Sequence, residues 1–220
     1  METFEEARKT ILKELTSEDA EVRATYLKHF GPKVEKFSDA MAQAFLNWRS
    51  LDAGVKGNGK LAYVSALVFT AITLHILSMK LFISGHAVAA GNLFRQVVES
   101  VPLALLCSGK NLGVLERFIE EKYSTNDAIR DVIRHAVPLG LNKDAVTALR
   151  DAQEFYHNYS HPSHFTIASG MSFSQEGLYV GAAFDKEKVE SYDKEIDGRI
   201  SLAEFFSNFV DGVKINVAKW

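Results

Sequence analysis

The sequence predicts a mainly α-helical protein, an up-and-down helical bundle with a small C-terminal β-hairpin. Apolar residues recur at helical spacings through most of the 220 residues, and only four of those residues are proline. The apolar period changes to strict alternation near residue 165. Because no repeat or linker divides the chain, we expect one domain over 1–220, made of N-terminal helices over 1–50, a core bundle over 60–164, and the hairpin with a final helix over 165–220.

The composition is that of a folded and slightly acidic protein. Hydrophobic residues make up 47% and charged residues 24%, and the formal net charge is −3. This balance argues against a surface coated in positive charge for nucleic acid, although it allows a local basic patch. Cys107 is the single cysteine, so no intramolecular disulfide can form. We therefore expect a cytoplasmic protein.

The N-terminal part reads as amphipathic helices. One stripe breaks near Ser17, which can cap a new start, and its apolar members are Phe4, Ile11, Leu15, Val22, Tyr26 and Phe30. Gly31-Pro32 predicts an interruption. A further stripe from Val34 to Trp48 follows, and the glycines of 52–60 predict a loop.

The segment 61–79 has no Asp, Glu, Lys or Arg, and its hydropathy is that of a membrane span. Polar residues such as Thr70, His75 and Ser78 nevertheless recur through it, and Lys80 closes it. A helix that is apolar on nearly every side is also what the centre of a bundle requires. We favour the buried central helix and expect no membrane insertion, while the membrane-spanning alternative stays open.

The second half predicts shorter helices and then the hairpin. Helices are expected over 87–107, 112–122, 127–136 and 143–161. Alternation over 165–173 and 178–184, with turn chemistry at 174–177, predicts a β-hairpin over about 165–184. The mixed charges of 185–197 are interpreted as a solvated helix face or loop. A final helix is expected over 202–218.

Candidate chemistry lies on a polar stripe of the helix over 143–161, where Arg150, His157 and His161 share one face. Three interpretations are open. The stripe can be a solvated face, or a metal site, because two histidines at i and i+4 present both imidazoles together. It can also be a catalytic site, since histidine titrates near neutrality and arginine can hold an anion.

The helix over 87–107 offers a matching polar face. Arg95 and Glu99 stand at i and i+4, the spacing of a simple surface ion pair. If this face looks across a cleft toward His161, then Arg95, Glu99 and Ser160 form the binding part of the same site.

These residues carry a family resemblance. The run Leu93-Phe94-Arg95-Gln96-Val97-Val98-Glu99 after a long apolar helix, followed downstream by Tyr159-Ser160-His161-Pro162-Ser163, resembles bacterial all-α proteins that are similar to the HEPN superfamily (higher eukaryote and prokaryote nucleotide-binding). The resemblance covers 60–164. HEPN members that cut RNA carry an arginine, then four to six residues, then a histidine. Arg150 with His157 and Arg130 with His135 fit that spacing.

The resemblance implies metal-independent RNA cleavage at a homodimer interface, of the toxin or phage-defence type. We therefore expect an RNA-processing or nucleotide-binding protein whose partners are a second copy and RNA or a nucleotide. His157 or His161 would take the proton of a ribose 2′-hydroxyl, and Arg150 or Arg95 would stabilise the charge on phosphate. No cofactor is predicted. A non-enzymatic interaction module and a metal-binding bundle, in which Glu99 joins the histidines, stay open as alternatives.

Overall fold

A computed structural model describes residues 3–159 and 161–220, and helices dominate both ranges. The α-helices of these ranges are α1 (Phe4–Thr16), α2 (Ala20–Asp52), α3 (Gly59–Ile83), α4 (Ala87–Ser108), α5 (Val114–Ile119), α6 (Ala128–Arg134), α7 (Lys143–His157), α8 (His164–Gly170) and α9 (Val189–Val217). Single-turn 3-10 helices lie at Thr125–Asp127 and Lys186–Lys188. The prediction of a mainly α-helical bundle is confirmed.

The predicted β-hairpin over 165–184 is wrong, because the described residues contain no β-strand. Its first half is helix α8, which starts at a reciprocal cap. The Thr166 N–H donates to the Ser163 hydroxyl at 3.2 Å, and the Ser163 N–H donates to the Thr166 hydroxyl at 2.9 Å. What remains of the hairpin is one isolated antiparallel bridge between Met171 and Leu178. The nine-residue alternation over 165–173 did not decide the local structure, because the cap at Ser163 starts a helix of about two turns there.

The core forms where α2, α3, α4 and α9 pack on one another. Each of these helices contributes side chains with no solvent exposure, among them Ala44, Val64, Ile72, Val97, Ile196 and Phe206. Helix α4 also packs on α7, and the two are the basis of the candidate sites described below.

Helix α2 runs for 33 residues through the predicted interruption at Gly31-Pro32. A proline inside a helix removes one hydrogen bond and normally kinks or breaks the helix. Here Phe30 and Phe37, on either side of Pro32, are both buried in the core. The burial of this aromatic stripe outweighs the local cost, and the helix continues.

Helix α3 is the one helix of the described residues that is long and apolar enough to cross a membrane by length and composition. One such helix is weak evidence for a span, because the central helix of a bundle passes the same test. Ten of its residues are buried, including Ser65, His75 and Ser78. The Ser78 hydroxyl donates to the Ala90 carbonyl at 3.0 Å, and His75 Nε2 lies 3.0 Å from the Arg199 carbonyl oxygen, whereas His75 Nδ1 has no hydrogen-bond partner.

Gly91 sets the closest approach between α4 and the turn that follows α7. A Cβ atom at Gly91 would lie 2.4 Å from the ring of Tyr159. That ring cannot swing aside freely, because its hydroxyl donates to Glu195 at 2.9 Å.

We predict that Gly91→Ala lowers the free energy of unfolding by about 1–3 kcal/mol, the usual cost of overpacking. The matched control is Gly212→Ala in α9, where a Cβ atom would lie at an ordinary contact distance of 3.8 Å from Leu105, and this substitution should stabilise by about 0.5–1 kcal/mol. Urea unfolding of both variants measures the difference. Equal stability of Gly91→Ala and the wild type would contradict the close contact.

Candidate ligand-binding site

A cavity of about 430 Å³ opens between α7, α8, α9 and the segment 171–185. Its walls are mainly aromatic, and they include Phe155, Tyr156, Tyr159, Phe165, Tyr179 and Tyr192. A few polar side chains, Lys188 and Glu195 among them, interrupt the apolar lining. Size and lining are those of a site for a small molecule.

The rings hold one another in place. Tyr156 and Tyr159 are stacked with their centroids 5.6 Å apart. Phe165 of α8 meets Phe155 edge-on at 5.4 Å and Tyr159 at 5.3 Å. Edge-to-face and offset contacts of this kind favour a rigid wall over a collapsible one.

Glu195 forms the polar floor of the cavity. Its Oε2 accepts hydrogen bonds from the Tyr156 hydroxyl at 3.0 Å and from Arg199 Nη1 at 2.7 Å. Its Oε1 accepts from the Tyr159 hydroxyl at 2.9 Å. Burial, together with the neighbouring Glu195 carboxylate, raises the pKa of both tyrosines well above the usual value. Both phenols therefore stay protonated at physiological pH and act as donors.

Arg199 lies behind this floor with no side-chain exposure. Its guanidinium carbon is 4.5 Å from the centroid of the Phe82 ring and 5.0 Å from that of Phe94, a cation–π geometry. Nε of Arg199 also donates to the Ser78 hydroxyl at 3.1 Å. The Glu195 carboxylate is thus held by a cation that is itself fixed in the core.

The outer wall, segment 171–185, is fastened by two charged residues at the start of α9. The Asp185 carboxylate accepts from the backbone N–H of Phe173 at 2.6 Å and of Glu187 at 3.0 Å. Lys188 donates to the carbonyls of Ala168 at 2.8 Å and Ser169 at 3.2 Å, at the end of α8. Burial lowers the pKa of Lys188, while the backbone N–H donors hold the pKa of Asp185 below its usual value against the opposing effect of burial.

A second cavity of about 440 Å³ adjoins the first, and the two share Gly85, Ala87, Ser169, Gly170 and Gly181. The first turn of α4 lines it, with His86, Asn92 and Thr166. The first N–H groups of a helix have no partner within the helix, and His86 at the N-cap of α4 makes no side-chain cap hydrogen bond. Instead, His86 Nε2 lies 2.8 Å from Asp19 Oδ2.

The residues singled out from the sequence lie in other places. Arg95 and Glu99 form an ion pair at 2.8 Å, with side chains only 20% and 15% exposed. Arg150 pairs with Asp151 at 3.0 Å on the surface. The rings of His157 and His161 are 4.7 Å apart, and Ser160 lies outside the described residues.

Arg95 and Glu99 of α4 and Arg150 and His157 of α7 stand on helices that pack on each other, and His161 lies in the segment between α7 and α8. Among the described members of the set, Arg95, Glu99, Arg150, His157 and His161, none lines the aromatic cavity.

Sequence reasoning missed Glu195, Arg199, Lys188 and Asp185. The interpretation of 185–197 as a solvated stretch is wrong at three of its charges, since Asp185 and Lys188 are buried and the Glu195 side chain is 11% exposed. A usable signal was present in the spacing. Glu195 and Arg199 fall on the same helical face as Tyr192 and Ile196, the face that an amphipathic helix buries.

Comparison with known proteins adds no relative: no family model, no curated protein and no solved structure matches the chain. Across the described ranges, no group of three or more His, Cys, Asp or Glu side chains is placed to hold a metal ion. The metal alternative therefore has only the two neighbouring rings of His157 and His161 in its favour.

We predict that Asp185→Asn loosens the outer wall and lowers the free energy of unfolding by about 1–3 kcal/mol at pH 7, since one oxygen that accepts backbone N–H groups is lost. The folded pKa of Asp185 lies below the unfolded value of about 3.9. Its contribution is therefore present above about pH 4 and disappears as the pH falls through the folded pKa. The gap between variant and wild type should close in acid.

Urea unfolding at pH 7 and at pH 3 measures this gap. Asp151→Asn is the control, because Asp151 lies exposed beside Arg150 and should change stability by no more than about 0.5 kcal/mol. A gap for Asp185→Asn that stays constant with pH would show that its charge is not the cause.

Proposed function

We propose that the protein binds a small molecule with a flat ring and an anionic group, and that a nucleotide is the class of ligand. The observation that carries the proposal is the aromatic cavity of about 430 Å³ with its fixed polar floor. Tyrosine and phenylalanine faces stack on any nucleobase. The hydroxyl oxygens of Tyr156 and Tyr159, whose protons are donated to Glu195, and the remaining acceptor position on Glu195 Oε1 can accept hydrogen bonds from the polar edge of such a base.

The adjoining cavity supports an anionic group on the same ligand. It lies at the N-terminus of α4, a helix of 22 residues, where the helix dipole and the first N–H groups favour negative charge. A nucleotide would place its base among the aromatic rings and its phosphate at this helix end. The two cavities share Gly85, Gly170 and Gly181, which have no side chains that could block the passage between them.

Isothermal titration calorimetry with AMP, GMP, CMP and UMP, and with the corresponding nucleosides, tests this function. We predict saturable binding by at least one nucleotide and weaker binding by its nucleoside. Ser191→Trp, at an exposed position in the cavity lining on α9, should reduce affinity by about tenfold or more by filling the cavity.

Ser201→Trp is the matched control, since Ser201 is exposed on the same helix and lines neither cavity. If none of these compounds binds at millimolar concentration, or if Ser191→Trp binds as tightly as Ser201→Trp, then the proposed function is wrong.

RNA cleavage, which the HEPN resemblance implies, is a second candidate. The observation that favours it is the half-buried Arg95–Glu99 pair on α4, beside the helix that carries His157 and leads to His161. In this reaction one imidazole takes the 2′-hydroxyl proton, the 2′-oxygen bonds to phosphorus, and the 5′-oxygen leaves with a proton. An arginine stabilises the phosphate charge that develops.

We predict for this candidate that His157→Ala or His161→Ala lowers the cleavage rate of a labelled single-stranded RNA by about 100-fold or more, the usual effect of losing a general base. His29→Ala, which removes an exposed histidine of α2, should leave the rate unchanged. Purified protein that leaves the RNA intact, or equal rates in all three variants, would eliminate the cleavage candidate without touching the nucleotide proposal.

A further inference from the structure

Helix α1 turns an apolar face away from the rest of the chain. Phe4, Ile11, Leu12 and Leu15 lie along one side of it and are 50–83% exposed, and no residue of α1 is buried. The helix is held from another side, where Glu14 Oε1 accepts from the Ala182 N–H at 3.0 Å. We call the four apolar side chains the α1 face.

Helix α3 also has an exposed apolar face. Tyr63, Phe69, Ile76 and Leu77 are each 38–49% exposed, and exposed Ala66 and Thr70 complete the stripe at helical spacing. We call this stripe the α3 face. No charged side chain lies on it between Lys60 and Lys80. Trp48 of α2 extends it, with ring centroids 4.6 Å from those of Phe69.

The two faces match in length and in area. The 13 residues of α1 and the residues 63–77 of α3 each span about 20 Å at 1.5 Å per residue. Each face exposes on the order of 500 Å², so a reciprocal exchange between two copies would bury on the order of 2,000 Å² in total, as stable dimers do. Exposed apolar patches of this size mark interaction sites.

We propose that the protein forms a two-fold dimer in which the α1 face of each copy packs on the α3 face of the other. A dimer that pairs only the two α3 faces would leave both α1 faces exposed to solvent, and a dimer that pairs only the two α1 faces would leave both α3 faces exposed. The exchange covers both faces of both copies within closed two-fold symmetry.

The charges of α1 favour a protein surface over a lipid surface. Its charged side chains are three acidic and three basic residues, namely Glu5, Glu6, Glu14, Arg8, Lys9 and Lys13. Helices that lie on membranes are instead rich in lysine and arginine on the polar side.

Sedimentation velocity of the full chain tests the dimer. We predict that the wild type is a dimer at micromolar concentration, and that Leu15→Glu and Ile76→Glu each raise the dissociation constant by about 100-fold or more, because a charge enters an apolar contact. Ile215→Glu is the matched control, since Ile215 is an isoleucine 60% exposed on α9. Circular dichroism checks that each variant keeps its helical content.

Several results would overturn the exchange. A wild type that is monomeric at 100 µM would do so. If Ile76→Glu dissociates the dimer and Leu15→Glu does not, the two copies instead pair through α3 and α3. If Ile215→Glu raised the dissociation constant as much as Leu15→Glu and Ile76→Glu, the assignment of the interface to the α1 and α3 faces would be wrong. Sedimentation of the monomer with phosphatidylcholine–phosphatidylglycerol vesicles, lost in Leu15→Glu and Ile76→Glu, would assign both faces to lipid.

Discussion

The enclosure of Arg199 is the interaction on which the rest of the structure depends. An isolated buried cation costs several kcal/mol, and only good geometry and additional hydrogen bonds offset that cost. Glu195 supplies the opposite charge at 2.7 Å, Phe82 and Phe94 supply their ring faces, and Ser78 accepts from Nε. Three of the core helices, α3, α4 and α9, therefore meet around a single guanidinium, whose Nε and Nη1 are hydrogen-bonded while its buried Nη2 has no hydrogen-bond partner.

The same network explains which buried polar groups are structural and which face the cavity. His75 contributes no titratable charge near neutrality, because burial lowers its pKa to about 3, and its Nε2 lies 3.0 Å from the Arg199 carbonyl oxygen. Glu195, one turn before Arg199 on α9, instead points its second oxygen to Tyr159 at the cavity floor. One turn of α9 therefore contributes both to the core, through Arg199, and to the cavity floor, through Glu195.

Helical periodicity was sufficient to predict α3 and α4, whose apolar residues recur at helical spacing over more than 20 residues each. It was insufficient where a partner distant in sequence decides the outcome. Tyr159 and Glu195 are 36 residues apart and join only in the folded chain, so the helical spacing that places Glu195 on the buried face of α9 does not show which residues it contacts. Over 165–184, a short alternation favoured strands, but the Ser163–Thr166 cap selected a helix. Charges count as exposed in pattern reasoning, which is why the floor of the cavity was missed.

Helix α7 and the turn after it link the two candidate sites. At 100° per residue, a helix that buries Tyr156 against Phe94 and Glu195 must turn His157 to a different side. The rings of Tyr156 and His157 therefore lie on different sides of α7, and α4 approaches the turn after α7 so closely at Gly91 that a Cβ atom there would clash with Tyr159. Arg95 stands one turn further along α4. The position of the histidines relative to Arg95 is consequently set by the packing of Tyr159, a residue of the cavity wall.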